Sequence, residues 1–353
     1  MLIAREHTDL PAVRSSERAR YKRCQKAWYW AWRKGYVPRA HRFGALELGT
    51  WAHTALAQWY TSLRNPNARK IPTLLHHFRE TSTLDIVEAE RAKAPQYILD
   101  KAWELQALGE EMMKAYQNQY GRDEKLKIIG VEVPLSFLIP DPETDEIIAV
   151  HKFKPDAIFA DEHDDLWLME HKTATSIQTG HLTIDDQARP YGAMSEHTLR
   201  KAGILVGARK FKGIMYNFLR KALPDSRPTN EKGQYLNQNG SVSKTQPPPL
   251  FLRKNITMTK QEKIITLRRV QAETVEITLK TQALRSGAMH PNWLNKTPHK
   301  SCPKICEFFD MCEAEERGID ITGMQKTMFF RRNPYLYEEE NGTTTEAKGF
   351  DLG

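Results

Sequence analysis

The chain has 353 residues, 40% hydrophobic and 9% aromatic, enough apolar material for one large core or two modest ones. A formal charge of +8 favours an anionic partner such as nucleic acid. No apolar run is long enough to span a membrane and the first residues lack the apolar stretch of a secretory signal, so the sequence places the protein in the reducing cytoplasm.

In chain order, SSERARYKRCQKAWYWAWRK, residues 15–34, predicts a basic, aromatic helix with Ser15 or Ser16 as its N-cap. Residues 44–62 and 74–120 carry apolar side chains at spacings of three and four and also read as helices. Strand patterns begin near Ile128 with IIGVEVPLSF, then IIAVHKFKPDAIF and LWLMEHK, separated by acid-, Gly- or Pro-rich turns. DDQARPYGAMSEHTLRKAG predicts a helix ending at Gly203, and GIMYNFL, 213–219, predicts a further strand. Residues 222–249 are polar and rich in Pro, Asn and Gly, the composition of a mobile loop. Thr259 and Glu262 have capping-box spacing and open a helix to about Leu284. Three cysteines follow in SCPKICEFFDMC, and from residue 337 the composition is that of a disordered tail.

These patterns divide the chain into an N-terminal helical region (1–125), a core (126–222), a polar loop (223–256), a C-terminal helix with the cysteine cluster (257–316) and a tail (317–353). No internal repeat is present. There is no G-x-x-x-x-G-K-[ST] loop, so the chain is not itself an ATP-driven helicase.

LWLMEHK is the most informative stretch. Its four apolar residues predict a strand buried on both faces, and the polar run Asp161–Asp165 before it suits the loop of an antiparallel hairpin. If Ala160 pairs with Leu166, counting back along both strands puts Asp156 opposite Glu170, with Cβ atoms about 4.5–5.5 Å apart. Alternation places Lys172 on the same face as Glu170 and turns His171 to the other, from which only its backbone carbonyl reaches an ion held there. Two carboxylates that close repel unless something positive lies between them. Lys172 supplies one charge, and magnesium or manganese, which prefer oxygen ligands and retain waters, answer the need better. The alternative is a surface hairpin whose Glu170 and Lys172 simply face water.

Pro155-Asp156, followed after thirteen residues by Glu170-x-Lys172, resembles the signature of the PD-(D/E)XK nuclease superfamily. That resemblance implies an α/β fold with a restriction-endonuclease-like core, a mixed central β-sheet flanked by helices. It implies that Asp156 and Glu170 hold the metal while Lys172 polarises the scissile phosphate or helps orient the attacking water. Gly49-x-x-x-His53 before this signature and Gln187-x-x-x-Tyr191 after it complete an order that resembles the RecB-type branch. By that resemblance His53 is a third metal ligand, Gly49 lets its helix approach the sheet, and Gln187 and Tyr191 position DNA or support the site. Pro190 is awkward in a helix interior and is tolerable if the helix begins near Gln187. Glu132 falls where the family often carries an acid on its first core strand; a charged residue on an edge strand fits equally. Tyr216, Arg220 and Lys221 end a later strand, where they could meet a phosphate backbone or solvent.

Cys24 stands apart from Cys302-x3-Cys306-x5-Cys312. In a reducing compartment this invites a metal centre rather than disulfides, either zinc or a 4Fe-4S cluster, and the paired C-x2-C knuckles common in zinc sites are missing. The one-plus-three split resembles the iron–sulfur staple of RecB-like nucleases, CRISPR-associated exonucleases among them. A staple across 277 intervening residues would remove unfolded-state entropy on the order of 5 kcal/mol.

The sequence therefore predicts a metal-dependent DNA nuclease, an exonuclease on single-stranded or end-containing DNA in recombination, repair or replication. A separate helicase or recombination protein is its expected partner, and phage or bacterial relatives its expected kin. The rivals are a structure- or sequence-specific endonuclease of the same superfamily, a non-catalytic DNA-binding adaptor that kept the fold, and a zinc protein without nuclease activity.

Overall fold

The computed structural model describes residues 10–39, 43–64, 71–141 and 143–336. The basic N-terminal stretch does not form one helix. Strand β1 (Ala12–Arg14) runs into helix α1 (Ser15–Arg23), extended backbone at Cys24 interrupts it, and α2 (Gln25–Trp28) continues as a π-helical turn over Tyr29–Arg33. Ser15 and Ser16 lie inside α1; Arg14 occupies the cap and makes no side-chain capping bond. Ser15 is instead buried, with its hydroxyl 3.5 Å from His151 Nε2. Strand β2 (Tyr36–Pro38) follows. The next three helices match their apolar spacing: α3 (Ala45–Leu63), α4 (Leu74–Arg91) and α5 (Gln96–Tyr120). Thr73 caps α4, its hydroxyl accepting from His76 N at 3.1 Å.

Two of the stretches that read as strands, IIGVEVPLSF and IIAVHKFKPDAIF, are broken in two. β3 (Lys127–Val131) and β4 (Leu135–Pro140) are separated at Glu132, where φ is 51°. β5 (Ile147–Phe153) and β6 (Ala157–Ala160) are separated at Lys154-Pro155-Asp156, because proline has no N–H to continue a ladder. Each break moves the chain between two sheets. β4 and β5 join β1 in a three-stranded sheet of order β1-β5-β4. β3 and β6 join β7 (Leu166–Ala174), β8 (Phe211–Arg220) and β9 (Phe251–Thr257) in order β3-β6-β7-β8-β9. The β7–β8 pair is parallel and the others antiparallel, so this central sheet is mixed. The two corners lie side by side, with Glu132 N donating to Asp156 O at 3.1 Å.

The hairpin register follows the count: Ala160 pairs with Leu166 and Ala157 with Met169. Along β7 the side chains alternate between two cores. Trp167 and Met169 join Trp51, Trp59, Phe78 and Met112 beneath α3, α4 and α5; Leu166 and Leu168 join Met194 and Leu199 of α6 (Ala188–Lys201). Pro190 sits in the first turn of α6, where its missing N–H costs nothing.

The polar stretch ends near residue 249, as its composition gives, and short of the boundary at 256 drawn for that region. Residues 222–249 form turns with two isolated bridges, Thr229–Tyr235 and Leu236–Val242, but residues 251–257 are β9, paired antiparallel with β8. Beyond it, Thr259 and Glu262 form the predicted capping box and open α7 (Lys260–Arg285), which packs on α6 and α1. α8 (Cys302–Ile305) and α9 (Phe309–Glu316) carry the late cysteines. The segment read as tail begins with α10 (Thr322–Met328) and β10 (Phe329–Arg331), the latter paired with β2; residues 337–353 lie outside the described residues. Among the described residues no helix is long and apolar enough to cross a membrane.

Candidate active site

Asp156 stands at the corner where the chain enters β6, so its carboxylate is free of the ladder and turns toward two neighbours. Oδ2 accepts from His171 N of β7 at 2.5 Å, and Oδ1 lies 3.6 Å from His53 Nδ1. Burial alone would raise this carboxyl, but the His53 ring and the His171 N–H outweigh it and hold it well below the usual carboxylate range. The same pairing raises His53 above an ordinary histidine, against the desolvation that would lower it.

Glu170 is buried on β7, and Lys172, two residues on, donates to Glu170 Oε1 at 2.8 Å. Gln187, the cap residue of α6, bridges both: its Oε1 accepts from Lys172 Nζ at 2.7 Å and its Nε2 donates to Glu170 Oε1 at 3.2 Å. Asp185 fixes this helix start, its Oδ1 accepting from Gln187 N at 3.0 Å and Ala188 N at 2.7 Å. Burial, opposed by Lys172 and reinforced by the Asp156 charge, pushes the Glu170 carboxyl above its ordinary value. Burial disfavours the Lys172 ammonium, yet Glu170 raises its pKa on balance.

His53 reaches this group from α3, on the opposite side of the sheet from α6. A Cβ on Gly49 would lie 2.7 Å from Thr173 Oγ1 of β7, so glycine is what lets this turn of α3 rest on the strand. His171 turns to the α3 side, as alternation requires. Its ring stacks on Tyr60 (centroids 5.8 Å apart, 8° between planes), meets His53 edge-on (5.6 Å, 87°) and lies 2.8 Å from Asn217 Nδ2 through Nδ1.

Glu132, at the neighbouring corner, pairs with Lys154. Burial raises its carboxyl and the Asp156 charge adds to the rise, which puts it within electrostatic reach of the main site. Tyr191 is buried and stacked on Phe153 at 5.2 Å. Tyr216 is a core residue stacked on Phe218 at 5.9 Å. Arg220 donates to the Pro248 and Pro249 carbonyls, and Lys221 to the Ala45 carbonyl.

The four cysteines are free thiols. Cys24, Cys306 and Cys312 pack against the apolar cluster of Ala27, Trp30, Phe308 and Met311, which already joins the N-terminal helices to α9. Cys302, at the start of α8, accepts from His299 N at 3.3 Å. Burial pushes the Cys306 and Cys312 thiols up, and Cys24 and Cys306 add to the effect on Cys312. A buried ion pair, Lys26–Glu315 at 2.7 Å, adds a second tie between the two ends.

Among the described residues, no three His, Cys, Asp or Glu side chains converge as a ready-made metal cage. For magnesium or manganese the donor chemistry still fits, because these ions are commonly bound through one or two carboxylates and keep several waters. The charges of the partly buried Asp156 and the buried Glu170 repel each other and are the pair such an ion relieves. Thiolates are the donors a cluster takes, but among the described residues the four cysteines do not converge as a metal-binding group; Cys24, Cys306 and Cys312 share one apolar core and Cys302 is not part of it.

The structure brings together Asp156, Glu170, Lys172, His53 and Gln187, which the sequence singled out, and adds Asp185, Lys154 and the buried groups behind His171, which it did not. Arg253 among these had a signal: Phe251-Leu-Arg-Lys-Asn-Ile-Thr257 offers a short run of strand-like residues after the polar loop.

The sequence pattern of the PD-(D/E)XK nuclease superfamily matches residues 15–313 of this chain. No curated protein matches it. Solved structures that it resembles include an exonuclease candidate from Eubacterium rectale, 10% identical, covering 75% of this chain and 94% of that one at a TM-score of 0.32. Another is SSO0001, 12% identical, covering 65% and 84% at a TM-score of 0.24.

Proposed function

Because the chain belongs to the PD-(D/E)XK nuclease superfamily, we propose that it hydrolyses DNA phosphodiesters with magnesium or manganese, as an exonuclease on single-stranded or end-containing DNA. The observation that carries this reading is the Asp156, Glu170 and Lys172 set, with Gln187 bridging the last two. Asp156 and Glu170 are the residues that would hold the ion, with His53 and the His171 carbonyl as further donors. A bound divalent ion supplies an acidified water and a Lewis acid for the phosphoryl oxygen.

The chain's own residues do the rest. Gln187 and Glu170 hold the Lys172 ammonium at the strand end, where it offers positive charge to a phosphate. Asp185 keeps Gln187 in place by anchoring the start of α6. His53, paired with Asp156, keeps that carboxylate ionised. The net positive charge favours a polyanionic substrate.

The exonuclease reading and the role in recombination, repair or replication rest on the RecB-type order of the motifs: Gly49/His53, Pro155-Asp156, Glu170/Lys172, Gln187/Tyr191. A motor, where one is needed, is a separate helicase or recombination protein. The same reading assigns Cys24, Cys302, Cys306 and Cys312 to a structural 4Fe-4S cluster, supported by three of these thiols sharing one apolar cluster. Zinc is the competing occupant, and a brown colour in protein purified without oxygen separates the two.

The experiment is digestion of 5′- and 3′-labelled single- and double-stranded DNA with manganese, beside Glu170→Ala. Stepwise loss of nucleotides from one end, absent in the variant, is the expected result. A defined ladder from closed plasmid would turn the reading to an endonuclease; full activity in the variant would remove the site.

A further inference from the structure

Behind the site lies a set of polar groups too deep to meet substrate. It draws Tyr60 from α3, Tyr116 from α5, Asp123 from the turn after α5, Asn217 from β8 and Arg253 from β9, and it ends on the His171 ring. Tyr60, Tyr116, Asn217 and Asp123 are all buried. We infer that this relay is a positioning device for the proposed metal site: Arg253 orients Asn217, Asn217 fixes the His171 ring, and His171 thereby holds the Asp156 carboxylate.

The proton directions follow from one residue. Arg253 can only donate. Its Nη1 donates to Asp123 at 2.6 Å, and the two hydrogens of its Nη2 are shared among Asp123 at 2.7 Å, the Tyr116 hydroxyl at 2.8 Å and, most distant, the Tyr60 hydroxyl at 3.2 Å. Its Nε faces Asn217 Oδ1 at 3.4 Å, so the Asn217 amide cannot be turned the other way without setting donor against donor. With Oδ1 on Arg253, Asn217 Nδ2 has two hydrogens and two partners, Tyr116 Oη and His171 Nδ1, both at 2.8 Å. Tyr116 then gives its own proton to Tyr60 at 3.0 Å, and Tyr60 gives its proton to Asp123 at 2.7 Å. The network closes with no donor facing a donor.

His171 Nδ1 is therefore an acceptor, and the neutral ring carries its proton on Nε2. Between Asn217, the Tyr60 face and the edge of His53 the ring has one orientation. The backbone N–H of the same residue is the donor on Asp156 Oδ2. Locking the side chain thus locks the peptide that aims the carboxylate, as outer partners do for ligands in metal sites generally.

This inference rests on the proposed metal site, and its test separates the two. Nitrogen NMR of the histidine rings in the metal-free wild type should show His171 with a bare Nδ1 and a protonated Nε2; a protonated Nδ1 overturns the proposal whether or not any variant folds. Asn217→Asp replaces the donors with acceptors at the same size. It should move the His171 proton to Nδ1 and raise the manganese concentration needed for half-maximal thermal stabilisation roughly ten- to a hundredfold. Asn217→Ala should weaken manganese similarly. Cleavage at saturating manganese should stay within a few-fold of wild type in both variants. An unmoved manganese titration in a folded Asn217→Asp protein overturns the proposal. A wild type that takes up manganese through Glu170 yet cuts no DNA removes the nuclease reading and leaves the relay standing; a wild type with no manganese response overturns both.

Discussion

The backbone N–H of His171 donates to Asp156 Oδ2 at 2.5 Å, tying the corner that opens β6 to the strand that carries Glu170. In an uninterrupted hairpin this N–H would serve the ladder. Here Pro155 bends the chain away at that point, and a side-chain carboxylate takes up the freed donor. Asp156 therefore has a structural bond and a charge that can be separated by mutation.

Asp156→Asn keeps an oxygen to accept from His171 and removes the charge. It should fold and melt somewhat below wild type, because the pairing of the charge with His53 is lost, while manganese-dependent cleavage falls by more than about a hundredfold. Asp156→Ala loses both and should melt lower. Calorimetry beside a cleavage assay distinguishes them, and equal melting of the two variants would show that the bond contributes nothing.

Gln187 touches both Lys172 and Glu170, so Gln187→Ala should lower the turnover rate by about tenfold without abolishing it, in the range for loss of one orienting contact. Lys172→Ala should cost more, about a hundredfold or greater. Rates at saturating manganese and DNA test the order; Gln187→Ala falling below Lys172→Ala would contradict it.

The pH dependence has a definite sign. Burial and the Asp156 charge, against Lys172, raise Glu170 to about 7. A carboxyl raised on folding binds more protons in the folded than in the unfolded chain, so the metal-free protein should lose stability as pH rises from about 4.5 through about 7. A divalent ion needs Glu170 ionised and His53 neutral, so manganese affinity should increase over the same window. Thermal melts at pH 5.5 and 8, with manganese and with chelator, should show the larger metal-induced shift at the higher pH. A shift independent of pH would exclude Glu170 as the titrating ligand.

Gly49→Ala places a methyl 2.7 Å from Thr173 Oγ1, on a β-branched side chain with little freedom to move. The expected cost is about 1–3 kcal/mol of stability, with weakened metal binding because the helix carrying His53 is pushed off the strand. Thr173→Ala in the same protein should recover most of the loss, and a double mutant no better than the single would refute the contact.

Much of the site was legible because its logic is local. Strand alternation and a five-residue loop are enough to place Asp156 near Glu170, to put Lys172 beside it and to send His171 to the other face. The capping box at Thr259 and the helix carrying Gly49 and His53 are likewise written in neighbouring residues. The two breaks at Glu132 and Pro155 were less legible, because an apolar strand reads the same whether its next segment stays in the sheet or leaves it.

Tertiary structure alone decided the remainder. β9 mixes Phe251, Leu252 and Ile256 with charged and polar residues, a weak strand pattern, and what settles it as a strand is the edge that β8 offers it, a partner 30 or more residues away. Through β9 comes Arg253, and through Arg253 the buried groups behind His171. The pairing of β2 with β10 has the same origin, joining segments from opposite ends of the chain. Periodicity reports which face of an element is apolar, and hydrogen-bond chemistry reports what a polar group needs once buried. Which distant residue meets that need depends on how the sheets and helices pack, and no local pattern carries that information.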